Sequence, residues 1–440
     1  MNAQEHDPNC SCKDLSSASL DKLVALNNDL PTDSLSPEDI TQKTTLCLKY
    51  LRAEDIPVRG KSSCTHVLGQ LHAHFALSIL AHISYLTRPQ PDSDFATRVV
   101  AAWGGIHKWL LYTFQHWILS PMFSKNADAN RRHAYQTIVV SLRSFVKLPP
   151  ICELILADDG GKAVFVMLGS CWLYEAEDEF KAASNSTPPT VSAAEPLLDL
   201  ATYKPGPPPD VFFGCLLSGA DAGKPARVAL DHLAYYLTNT NTNPTPASWA
   251  PQAIFLLHYH LRMLIQMSHA PPYLHALLAH NSVRSTTLLL VSLTSPSHPH
   301  DNEDEAGGTA PGIAQCIAAS LQYLSLALPA AGGYAQITDA VRMGVVEGIV
   351  RSEVWLADMP EEEDGVRSWL RTDHLRDMID PTGLHGVAIC VRLLLLPTRK
   401  RRCTVQTKFA APPHRLQDPF EGTRLGNSQT RSTGDHQGLT

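Results

Sequence analysis

Apolar residues in this chain return every third or fourth position. Between Thr65 and Thr87 the positions Leu68, Leu71, Phe75, Ile79, Ile83 and Leu86 fall on one face of an α-helix. Pro89 and Pro91 end that segment. The same spacing runs from Phe95 to Leu119 through Val99, Trp103, Ile106, Leu110, Phe114 and Trp117. It runs again from Ala129 to Lys147 through Tyr135, Ile138, Leu142 and Phe145, where Pro149 and Pro150 stop it. Further helices are predicted at Ile151 to Ala157, Lys162 to Glu175, Val211 to Leu217, Pro225 to Leu237, Pro251 to Ser268 and Pro272 to His280. The series continues at Val283 to Thr294, Ile313 to Leu328, Tyr334 to Met343, Val345 to Ala357 and Leu384 to Leu396. Val366 to Asp380 is compatible with helix but poorly patterned. Pro225, Pro251 and Pro272 stand where helices open, a position at which a missing N–H costs nothing. Alternating runs bounded by hairpin turns are almost absent, so the fold class is all-α.

Breaks in the period organise the chain. Residues 1–38, rich in Ser, Asn and Asp, read as a disordered lead-in, followed by an N-terminal helical part over 39–181. Residues 182–210 carry seven prolines and read as an extended or disordered linker or insert. A C-terminal helical part over 211–396 contains a polar loop at Asn239 to Pro246 and an acidic one at Ser295 to Gly312. From 397 to 440 no apolar period survives, which predicts a disordered basic tail. Three places pair the end of one helix with a Gly or Asn turn and a fresh helix: Ile155 to Gly161, Leu277 to Val283 and Ala340 to Val346. A left-handed cap followed at once by another helix is the turn of armadillo-like arrays. The expected architecture is thus an irregular armadillo-like α-solenoid. An irregular bundle using ordinary caps remains the alternative.

Composition narrows the function classes. The 440 residues are 44% hydrophobic and 18% charged, apolar enough to fold and too lean in charge for a coiled coil or a wholly disordered chain. Net charge is -7, but residues 397–440 carry eight Lys or Arg against three acids, which leaves -12 on the rest. An acidic body repels a phosphate backbone, so no nucleic-acid binding by the folded part is expected. The ten cysteines form no CxxC pair and lie mostly in apolar helices, the usage of reduced thiols in cytoplasm or nucleus. The N-terminus has no apolar core of a signal peptide. The uncharged stretch from Ala306 to Thr338 is broken by Pro311, Pro329 and Gly332, and reads as a buried helix with no membrane span.

The runs AAWGGIHKWL (Ala101 to Leu110), ILADDGGKAVFVMLGSCWLYE (Ile155 to Glu175) and CIAASLQYLSLALPAAGGYAQITDAVRMGVVEGIV (Cys316 to Val350) resemble the helical region of a fungal family of MYND-type zinc-finger proteins. The likeness covers Thr65 to Asp358 and rests mostly on packing residues. It implies a helical region that precedes a C-terminal finger. A MYND finger needs seven cysteines and a histidine, and after Val350 only Cys390 and Cys403 remain. No zinc ligand or finger function carries over.

Candidate chemistry is thin. Two histidine ligands on one helix must stand three or four apart, and no pair among the twenty does. His72 and His74, like His258 and His260, are two apart and point to different sides. His298 and His300 adjoin Asp301, Glu303, Asp304 and Glu305, where weak surface metal binding is the most that spacing supports. There is no GxSxG or HExxH, and the run Gly219 to Lys224 is one residue short of a P-loop and is followed by Pro225, so it reads as a turn. Glu175, Glu177, Asp178 and Glu179, and Glu361 to Asp364, read as solvated helix ends. Trp103, Trp109, Trp117 and Trp172 read as core, and Arg399 to Arg402 as a solubilising tail or a nuclear-import cluster. The expectation is a non-enzymatic scaffold that binds a protein or peptide, with no catalytic residue, metal or cofactor. Its competitor is an all-helical enzyme or small-ligand-binding protein with an enclosed pocket between helices, which predicts buried polar or titratable groups converging on a cavity.

Overall fold

Helix starts in this chain are written in side-chain caps and prolines. Ser36 Oγ accepts from Asp39 N at 3.1 Å with Pro37 behind it, and Ser93 Oγ accepts from Ala96 N at 3.2 Å. Asp221 Oδ1 accepts from Gly223 N at 3.0 Å and Lys224 N at 3.2 Å, which turns the chain into a helix in the P-loop-like run. Two of the three suspected caps take left-handed backbone, Asn281 at φ 61° and Gly344 at φ 93°.

A computed structural model describes residues 17–30, 35–56, 63–87, 90–119, 127–157, 160–176, 191–203, 209–217, 221–242, 251–295, 310–331 and 334–357. Among them are sixteen α-helices and no strand. They are α1 (Ser17–Asn28), α2 (Pro37–Lys49), α3 (Ser63–Thr87), α4 (Asp94–Thr113), α5 (Ala127–Phe145), α6 (Pro149–Ala157), α7 (Gly160–Tyr174) and α8 (Ala194–Thr202). After these come α9 (Pro209–Leu217), α10 (Gly223–Thr242), α11 (Pro251–Ser268), α12 (Pro271–Ala279), α13 (Ser282–Leu293), α14 (Ala310–Ala330), α15 (Tyr334–Arg342) and α16 (Val345–Ala357). A 3₁₀ turn spans Ala53–Asp55, and α4 runs on as π-helix over Phe114–Leu119.

Helices pack on partners one or more elements away as well as on neighbours: α3 on α5, α7 on α9, α11 on α14, and α13 on both α14 and α16. Their buried side chains form one cluster from Leu23 to Val345, with Trp109, Trp172, Tyr135 and Phe165 among the largest. All these helices belong to one compact unit, and residues 358–440, the expected basic tail among them, lie outside the described residues.

Three expectations need correction. The lead-in assigned to 1–38 contains α1, whose Leu23 is fully buried and which packs on α3, and α2 begins at Pro37. Its Leu20, Leu23 and Leu26 do step by three, but Ser and Asp dilute the pattern. The supposed linker 182–210 contains α8, in which Leu197, Leu198 and Leu200 are buried. Prolines on both sides hid a nine-residue apolar helix that admits Pro196 in its first turn. The loop assigned to Asn239–Pro246 begins later, since α10 continues to Thr242.

One described helix stretch, Gly312–Ala330, is long and apolar enough to cross a membrane, and 67% of it is buried. It packs against α11 and α13 as a core helix does.

Candidate functional site: a buried carboxylate and imidazole cluster and an aromatic cleft

The segment 191–203 is fastened from three sides by polar groups. Glu175, just past the end of α7, is 5% exposed, and its Oε1 accepts from Tyr135 Oη at 2.8 Å and from Ala193 N at 2.6 Å. Ser192 Oγ donates to Oε2 at 2.8 Å. Farther along, Glu195 Oε2 lies 2.7 Å from Arg143 Nε and its Oε1 3.5 Å from Lys147 Nζ. Asp199 pairs with Lys147 and accepts from Tyr259 Oη at 3.3 Å. Helices α5, α7 and α11 thus all grip α8. Burial lifts the Glu175 carboxyl from 4.5 to about 7, against the lowering pull of the Ala193, Tyr135 and Ser192 donors. Burial raises Glu195 as well, with Arg143 and Lys147 pulling the other way.

Two imidazoles close on the same carboxylate. His232 of α10 places Nε2 3.6 Å from Glu175 Oε2. Its ring stacks on that of His260 from α11, with centroids 4.1 Å apart and planes 13° apart, while Trp172 flanks it at 6.0 Å. His260 is 2% exposed, and its Nδ1 is buried with no hydrogen-bond partner among the described residues. Burial, and secondly the nearby His232, hold His260 well below the ordinary imidazole range, so it is neutral at pH 7. One ligand atom each from Glu175, His232 and His260 lies within 4.8 Å of the others. This is the convergence of titratable groups that a metal- or ligand-binding protein needs.

On the other flank of α8 opens a cleft of about 410 Å³. Tyr85 of α3 and Phe255 of α11 form its lips, 63% and 36% exposed. Arg143, Lys147, Leu148 and Glu195 also line it, and the Arg143 guanidinium sits 5.8 Å from the Phe255 ring centre. A second, more open depression of about 690 Å³ carries Lys49, Arg52 and Arg98. Arg98 there is already committed to Asp94 at 2.8 Å and Thr45 at 3.1 Å.

Glu175 is a buried acceptor, contrary to its expected place on a solvated helix end. His72 and His74 do part: His72 meets Ser19 Oγ at 2.8 Å and the Tyr50 ring, while His74 meets Thr137 of α5. His258 is pushed down to about 4 by burial and Arg262, away from the His260 cluster on its own helix. Trp103, Trp109 and Trp172 are core, and Trp117 packs on its edge. Cys47 and Cys152 are pushed up to about 12 by burial, and Cys171, Cys215 and Cys316 are raised too, so these thiols are poor nucleophiles. Glu177 to Glu179, His298 to Glu305, Glu361 to Asp364, Leu384 to Leu396 and Arg399 to Arg402 lie outside the described residues. Sequence reasoning missed His232 as a partner of His260 because they stand on different helices. No family model, no characterised protein and no solved structure matches the chain.

Proposed function

We propose that this protein is a non-catalytic helical scaffold that binds a segment of another protein, and that the segment seats between Tyr85 and Phe255. The observation that carries the reading is the cleft itself: two exposed aromatic rings lining it together with an arginine, a lysine and a leucine. Aromatic side chains and arginine dominate the energetics of protein recognition because they offer large contact area and a directional charge at low entropic cost. Lys147 and Arg143 are partly neutralised by Glu195 and Asp199, so an apolar anchor suits the cleft better than a strongly charged one.

The finer architecture belongs to the same proposal. Successive helices joined at left-handed Asn281 and Gly344 support an armadillo-like stacking, the arrangement that leaves a long face free for partners. The likeness to the helical region of MYND-type zinc-finger proteins, without the finger, agrees with it. The five free cysteines buried among the described residues suit the cytoplasm or nucleus as its compartment.

The test is a selection of random peptides on the purified protein, followed by affinity measurements with Tyr85→Ala and Phe255→Ala. Both side chains are at the surface, so the fold should persist. Selected peptides should carry an apolar anchor and lose about 30-fold or more in affinity to either variant, the hot-spot scale of about 2 kcal/mol. Binders indifferent to both substitutions would remove the cleft from the proposal.

A further inference from the structure

We propose that Glu175, His232 and His260 bind one divalent transition-metal ion of the zinc type. The site is independent of the peptide cleft and stands on three observations.

The first is convergence. The end of α7, the middle of α10 and the middle of α11 bring a carboxylate and two imidazoles together, with ligand atoms within 4.8 Å of one another. The separation of 3.6 Å between Glu175 Oε2 and His232 Nε2 is too long for a good hydrogen bond. It is close to the edge of a tetrahedral coordination sphere, about 3.3 Å for metal–ligand bonds of about 2.0 Å.

The second is the unmet valence of His260. A buried ring nitrogen without a partner forfeits its hydration. Nδ1 of His260 is in that state among the described residues. A metal ion held between the three side chains would supply the missing partner.

The third is the outer support of the carboxylate. Tyr135 and Ala193 hold Oε1 while Ser192 holds Oε2, so Glu175 is fixed in place with Oε2 turned toward the imidazoles. Hydrogen bonds of this kind orient ligating carboxylates in metal sites.

One carboxylate with two imidazoles suits zinc, cobalt, nickel or iron(II), and is too nitrogen-rich for magnesium or calcium and without the thiolates that copper(I) favours. Three protein ligands leave a fourth position for water or another ligand. The parallel stack of His232 on His260 cannot aim both nitrogens at one point, so loading turns one ring out of the stack.

The experiment strips the full chain with a chelator and titrates it with Co²⁺ alone, then with Zn²⁺ in competition. One Co²⁺ per chain is expected, with the visible absorption of a four-coordinate ion that Zn²⁺ abolishes. His260→Phe and Glu175→Gln should each weaken uptake by at least about 100-fold. A chain with His298→Ala and His300→Ala, which removes the imidazoles of the acidic insert, should bind as the parent does. Since the cluster variants could fail to fold, zinc-edge X-ray absorption on the loaded parent chain supplies a second reading. It should contain the outer-shell scattering of two imidazoles with one oxygen donor. No stoichiometric uptake, uptake lost with His298 and His300, or a zinc shell without two imidazoles would overturn the proposal.

Discussion

At the residue scale, neighbouring positions of one type can have opposite roles, and the glycine pair in α4 illustrates it. Gly104 is exposed, and a Cβ placed there meets nothing within 4 Å. A Cβ on Gly105 would stand 2.2 Å from the carbonyl oxygen of Leu51, which is backbone and cannot step aside. The close approach lets α4 lie against the turn after α2, where Trp109 Nε1 also donates to Arg52 O at 3.1 Å. Gly104→Ala should therefore stabilise by about 0.5–1 kcal/mol through helix propensity. Gly105→Ala should destabilise by about 1–3 kcal/mol as the elements are forced apart. Urea denaturation of the two variants reads the difference directly, and small shifts of the same sign in both would refute the assignment. The sequence run AAWGGIHKWL marks a tryptophan-rich helix, but nothing in it says which glycine bears the contact. That depends on the chain about fifty residues earlier, which local spacing does not see.

At the scale of elements, the α3–α5 seam carries a titratable group whose sign can be worked out. Thr137 Oγ1 donates its proton to His133 O at 2.8 Å, so its oxygen is the acceptor for His74 Nδ1. Burial, with His133 as a second cause, pushes His74 down from 6.5 to about 4. A folded value below the unfolded one means that the unfolded chain takes up the proton first. The stability involved is complete above about 6.5 and is lost as pH falls toward 4. Its full size is on the order of 3 kcal/mol. His74→Gln should flatten the dependence of unfolding free energy on pH between those limits, and parallel curves for parent and variant would sink the idea. The parting of His72 from His74 was legible because period 3.6 sends residues two apart to different faces. The long helices were legible for the same reason, Pro251–Ser268 and Val345–Ala357 at both ends. α1 and α8 were not, since Ser and Asp dilute the apolar period of the first and prolines crowd both flanks of the second. The π-helical extension of α4 left no mark in the spacing at all.

At the scale of the whole molecule, the candidate site was illegible because its parts come from α7, α10 and α11 and meet only through packing. Histidine spacing within one helix carries no sign of a cluster assembled across three. The same limit turned a keystone into a linker, and that leads to a test of the fold as a unit. Leu197, Leu198 and Leu200 are each at most 1% exposed. Burying a leucine contributes about 1.5–3 kcal/mol, so the three together supply roughly 5–9 kcal/mol. That rivals the whole net stability of a typical domain, about 5–15 kcal/mol. Glu195 and Asp199 add contacts to α5 and α11 that no flexible chain would reproduce. Replacing 194–202 by a Gly-Ser segment of equal length should therefore unfold the protein or lower its urea midpoint drastically. Hydrogen exchange should show protection falling together in α3–α5 and in α11–α14, because the buried side chains on both sides belong to one cluster that α8 helps to fill. A tether between two self-sufficient parts would behave differently: its replacement would leave both melting where they did, and protection in each part would be unchanged. If that were the result, α8 would lie on the core without being needed by it, and the buried leucines would have to be offset by strain elsewhere in the segment.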